Sequence, residues 1–174
     1  MIAAPEWLTR LAEPWATFYS DHGALRTLVV TLHVLPLLLG GGAAVSADRA
    51  TLRAGRAGVD DDRVRQLAQL ATTHRLVTVS LVAVTVSGIA LMLADLEQFF
   101  GSWIFWTKMG LVVALLVNGA AMLRNEGLLR AQTEDGAWDD VGWRAWRRLE
   151  GAARLSLGLW VVITVLGVAL VNLE

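Results

Sequence analysis

The chain has 174 residues, of which 55% are hydrophobic and 18% charged, with a formal net charge of −1 and a mean hydropathy of +0.52. Soluble domains carry about 25% charged residues, so this composition excludes an ordinary water-soluble globule. The balanced charge points away from a nucleic-acid partner. Cysteine is absent, which excludes disulfides, thiolate metal sites and iron–sulfur clusters.

Residues 1–22, "MIAAPEWLTRLAEPWATFYSDH", lack the basic start and uninterrupted apolar run of a signal peptide. Trp7, Leu8, Leu11, Trp15, Phe18 and Tyr19 recur at spacings of three and four, divided by Pro5 and Pro14. They predict an amphipathic segment lying in a membrane interface. Four windows then follow that are apolar enough to cross a bilayer, each near the roughly 20 residues required: Ala24–Ala47, Ala71–Ala94, Trp103–Leu123 and Leu155–Leu173.

Between the first two spans the chain turns around Gly55–Asp62 ("GRAGVDDD"), and Asp60–Asp62 suit the start of a helix running from about Asp61 to Leu96. "EQFFGSW" makes a short loop before the third span. The segment before the fourth is read as a loop around Gly127–Gly142 leading into an amphipathic helix. The fold expected is all-α: one domain over 1–174, an integral-membrane, up-down-up-down four-helix bundle preceded by the interfacial segment.

Basic residues orient it. Arg49, Arg53, Arg56, Arg63, Arg65 and Arg75 flank the first connection, and Arg124, Arg130, Arg144, Arg147, Arg148 and Arg154 the second. Only Arg10, Arg26 and Lys108 lie on the opposite side. Positive residues stay cytoplasmic, so both termini are expected outside, on the periplasmic face of a bacterial inner membrane. Trp7, Trp15, Trp103 and Trp106 would form an outer belt and Trp138, Trp143 and Trp146 an inner one, leaving Trp160 within a span.

Polar side chains within spans mark the interior. On span 1, His22, Arg26, Val29, His33, Pro36 and Gly40 share a face. Span 2 aligns His74, Thr78, Leu81, Thr85, Gly88, Met92 and Asp95, and span 3 Lys108, Leu111, Leu115, Asn118 and Met122. If spans 1 and 2 are antiparallel about the turn, paired residue numbers sum to roughly 117. His33 then meets Val84 or Thr85, and His74 the level of Gly42 or Ala43. His22, Arg26, Asp95 and Lys108 gather in a polar cluster at the outer mouth. This register separates His33 from His74 by about nine residues, or roughly 13 Å, too far for one haem clamped between the two.

Each anomaly has two readings. His33, deep in its span, is either a packing imidazole bonded to Thr85, Asn118 or water, or a metal ligand or proton-transfer group. Pro36 removes the backbone partner of Leu32 and predicts a kink beside it. Gly40–Gly42 either permits close helix contact, with Gly42, Ser46, Ala50 and Ala54 as a small-residue ridge, or leaves room for a flat cofactor. The candidate cofactor-binding set is His33, His74, Gly40, Gly41, Thr85, Met92, Lys108 and Asn118, with His33 as the metal ligand. No catalytic residue is assigned. Met92, Met109 and Met122 lack the clustering of a copper(I) motif.

The stretches "TLHVLPLLLGGG", "HRLVTVSLVAVTVSGIALM" and "FWTKMGLVVALLVNGAAMLR" resemble small bacterial four-helix inner-membrane proteins of the CopD and HemJ-like type over about residues 25–124. The resemblance implies a four-helix core. It makes His33 the helix 1 histidine and Lys108 the basic residue opening helix 3, and it implies haem b or porphyrin handling. The W-M-A-G and L-P-R-L runs of the HemJ pattern are absent, so it carries the architecture rather than porphyrinogen oxidation.

Two functional expectations follow. One is a membrane protein with a polar, histidine-containing interior that holds haem b and acts in redox or proton transfer. The other is a cofactor-free accessory subunit of a larger respiratory or photosynthetic complex. Partners are the lipid bilayer and either other membrane subunits or a second copy of the chain.

Overall fold

A computed structural model describes residues 4–57, 60–134 and 140–173. Its helices are α1 (Glu6–Asp21), α2 (Gly23–Ala57), α3 (Asp60–Ala94), α4 (Leu96–Gly101), α5 (Trp103–Glu134) and α6 (Asp140–Leu173), and there is no strand among the described residues. The four long helices, α2, α3, α5 and α6, are long and apolar enough to cross a membrane. α2 and α3 each have 35 residues, a length of about 52 Å against a hydrocarbon thickness of about 30 Å.

α2 packs along α3, α5 along α6, and the two hairpins join through α2 and α6. Both hairpins are antiparallel. In the first, His33 meets Val84, Gly40 faces Ser80 and Thr51 meets Gln66, so the expected register holds at its predicted pair. In the second, Lys108 lies against Gly167 and Asn118 donates from Nδ2 to the Ala152 carbonyl at 2.9 Å.

Between apolar helices there is little hydrophobic drive to associate, so close approach of backbones matters most. A Cβ at Gly40 would run into Ser80, and one at Gly41 would stand 3.0 Å from the Trp160 ring. Gly55 likewise has no room for a side chain beside Glu150 and Trp146. Gly42 meets nothing within 4 Å and Ser46 is exposed. Of the expected ridge of Gly42, Ser46, Ala50 and Ala54, the first two lie on an outward face while Ala54 is buried in the core, and among the three consecutive glycines the close contacts belong to Gly40 and Gly41.

The densest core lies at the end carrying the α2–α3 connection. There Leu67, Leu70, Leu129, Trp146, Leu149 and Ala153 are almost wholly buried. Trp146 is 1% exposed, so it is a core residue rather than part of a belt. Its indole Nε1 donates to Glu150 Oε1 at 2.9 Å, and Arg63 stacks over Trp143 and Trp146. Trp138 lies outside the described residues. Large side chains along the outer faces, among them Leu38, Val79, Val117 and Val165, are by contrast exposed.

Two boundaries differ from expectation. α5 continues through Gly127 to Glu134, because Glu126 and Leu129 extend its buried face for another turn. α3 ends at Ala94, since Asp95 leaves helical geometry to accept the Gln98 backbone N–H at 3.3 Å and cap α4. α2 stays helical through Pro36. The N-terminal segment forms α1, tied to α3 by the Trp15 indole Nε1 donating to the Ala90 carbonyl at 2.8 Å. Trp7, Leu11 and Phe18 are exposed on its other side.

Candidate functional site

α3 and α5 are the neighbouring long helices that meet least. Between them lies a cleft of about 440 Å³, floored by Ala44, Ala47 and Asp48 of α2 and by Ser156 and Trp160 of α6. One wall carries Leu70, Thr73, His74, Val77, Thr78, Leu81, Val82, Thr85 and Val86 of α3. The other carries Leu115, Leu116, Gly119, Ala120, Met122 and Leu123 of α5. Sequence explains the gap. Small residues, Gly119 and Ala120, line it from α5, and a Cβ added at Gly119 would meet no described side chain or neighbouring helix within 4 Å. Exposed Val82, Val86, Leu116 and Leu123 mark a mouth that faces outward between the two helices.

The cleft is graded. Trp160 and leucines line its middle, while Asp48, Thr73, His74 and Ser156 converge at the end toward the dense core. Asp48 is 3% exposed. Ser156 and His74 line the same end of the cleft, and Asp48 Oδ2 has no hydrogen-bond partner among the described residues. His74 Nδ1 lies 3.2 Å from Glu126 Oε2, off the direction of a hydrogen bond, and Arg130 Nη2 stands 3.8 Å from the same oxygen. Arg130 also donates from Nη2 to the Leu67 carbonyl at 3.0 Å. The described polar contacts between α3 and α5 thus close the cleft at this one end.

Of the residues expected from sequence, His74 and Thr85 line the cleft. His33 does not. Its ring is half-buried between α2 and α3, with Nδ1 3.1 Å from both the Val84 carbonyl and Ser87 Oγ and Cε1 against Gly88. Gly40 and Gly41 serve helix contact, Met92 packs by Ile104, Phe105 and Leu170, and Asn118 bonds α6. Lys108 is half-buried, its Nζ against Gly167.

No ion pair joins His22, Arg26, Asp95 and Lys108 among the described residues. His22 stacks on Phe18 and bonds its carbonyl, Arg26 is exposed, and Asp95 caps α4. No group of three or more His, Cys, Asp or Glu able to hold a metal occurs among the described residues.

Sequence reasoning missed Asp48, Ser156 and Glu126, although two were within reach. Continuing the α5 stripe from Asn118 and Met122 by one more step of four lands on Glu126. Stepping from Gly41 by three and four through Ala44 lands on Asp48 and then Thr51, which is fully buried.

No family model, curated protein or solved structure matches the chain.

Proposed function

We propose that the chain is a four-span, up-down-up-down membrane protein that receives an amphiphilic small molecule from the bilayer through the α3–α5 mouth. The ligand's apolar body lies along Trp160 and the leucines, and its polar head meets Asp48, His74 and Ser156. The observation that carries this reading is the cleft itself: an apolar enclosure with a few polar groups gathered at one end is the usual form of a small-molecule site. Ionisable residues within spans are costly and generally functional, and Asp48 and His74 can exchange a proton with a bound head group. The arginine distribution supports a cytoplasmic location for that end in a bacterial inner membrane.

For haem b, His74 is the imidazole on the cleft and Met122 its thioether neighbour, so a haem-binding protein of the CopD or HemJ-like type would use His74 here rather than His33. An accessory-subunit or homodimer role is favoured by one observation, the outward Gly42 and Ser46 of α2, which offer a helix partner a small-residue surface.

The test is to purify the protein in a mild detergent, extract it with organic solvent, and compare the retained molecules with those from Gly119→Trp, which fills the cleft. A ligand enriched in the native protein and lost in the variant is expected. Equal recovery from both would refute the cleft as the binding place. An absorption spectrum of the same sample settles haem: a Soret band lost in His74→Ala and kept in His33→Ala would assign it to this cleft.

A further inference from the structure

The polar end of the cleft has a chemical bias. Asp48 is 3% exposed and lines the cleft, and its Oδ2 accepts no hydrogen bond from the described residues. Behind His74 stands a second buried carboxylate, Glu126, also 3% exposed, whose Oε1 is likewise without a partner. The cation beside them, Arg130, is already engaged with Glu126 Oε2 and the Leu67 carbonyl. Asp48 and Glu126 are thus two buried carboxylates, each with an oxygen that no described residue serves, beside the single Arg130 guanidinium that contacts Glu126.

Burying a carboxylate is costly unless a counter-charge or donors meet it. A carboxylate-headed ligand would add a like charge. A carbonyl head would set an acceptor against an acceptor. A protonated nitrogen supplies both a counter-charge and the missing donors, in the stronger, charge-assisted kind of hydrogen bond.

Resting on the reading that the cleft binds an amphiphile, we propose that it selects lipophilic amines, their ammonium N–H donating to Asp48 Oδ2 while the chain lies along Trp160 and the leucines. Asp48 is the specificity-determining residue, with Ser156 and His74 lining the cleft at the same end. Recognition needs no conformational change beyond side-chain adjustment, because the mouth between α3 and α5 is open to the lipid side.

The experiment equilibrates nanodisc-embedded protein with three amphiphiles of equal chain length, an alkyl amine, an alkanol and an alkanoate, and counts bound ligand by native mass spectrometry. In the native protein the amine should be retained at least about tenfold over the alkanol, the scale of one charge-assisted hydrogen bond, and the alkanoate should stay at background. Asp48→Asn should bring the amine down to the alkanol level and leave the alkanol unchanged. Equal retention of amine and alkanol by the native protein would overturn the cation preference while the cleft reading stands. Retention of none of the three would overturn the cleft reading and the preference with it. The native comparison requires no variant, so a misfolded Asp48→Asn cannot blunt it.

Discussion

The hydroxyl of Ser87 on α3 reaches within 3.3 Å of the Leu32 carbonyl on α2, the carbonyl that Pro36 leaves without its helical N–H partner. The same Oγ stands 2.7 Å from the Ala83 carbonyl and 3.1 Å from His33 Nδ1. Inside lipid, backbone groups freed by a proline are satisfied by side chains of neighbouring helices, and Ser87 has that position.

Ser87→Ala should therefore destabilise the protein by about 1–2 kcal/mol, leaving the Leu32 carbonyl unserved. In a Pro36→Ala background, where the backbone N–H returns, the same substitution should cost clearly less. A double-mutant cycle from equilibrium unfolding in mixed micelles measures this, and equal costs in both backgrounds would contradict it.

Gly40 and Gly42 are two residues apart but should respond differently to bulk. Gly40→Leu forces a side chain into Ser80 and should cost about 1–3 kcal/mol. Gly42→Leu adds a side chain where nothing lies within 4 Å and should leave monomer stability within about 0.5 kcal/mol. If Gly42→Leu instead shifts the elution of the native complex, α2 carries an interface with another chain.

Trp146→Ala should be the costlier of two tryptophan truncations. Trp146 is 1% exposed whereas Trp103 is 70% exposed, so losses of about 3–5 kcal/mol and under about 1 kcal/mol are expected respectively. Thermal unfolding of both variants in one detergent compares them directly.

Orientation is open to a clean labelling test because the chain has no cysteine. In intact cells a membrane-impermeant maleimide should modify Thr9→Cys, and should reach Arg65→Cys only after permeabilisation. The reverse pattern would invert the assignment of the arginine-rich ends.

Much of the architecture was legible because it rests on strong local signals. Long apolar windows set the four helices, and the turn read from sequence around Gly55–Asp62 set the α2–α3 register closely enough to pair His33 with Val84. The site was less legible, for physical reasons. Whether two helices touch or stand apart depends on packing across the whole bundle, and α3 and α5 part because each is held by another neighbour. His33 attracted attention as a deep titratable ring, but its bonds to Val84 and Ser87 make it part of a helix contact. Asp48 looked like a span boundary in sequence. In the fold it is a buried carboxylate at the polar end of the cleft.

The central claim is that an amphiphile enters between α3 and α5, and photolabelling in the membrane tests it most directly. A diazirine-tagged alkyl amine should mark Leu81, Thr85, Leu115 and Gly119, and excess untagged amine should compete the label away. Marking spread evenly over outward residues such as Val79, Val113 and Val165, unaffected by competitor, would contradict the account.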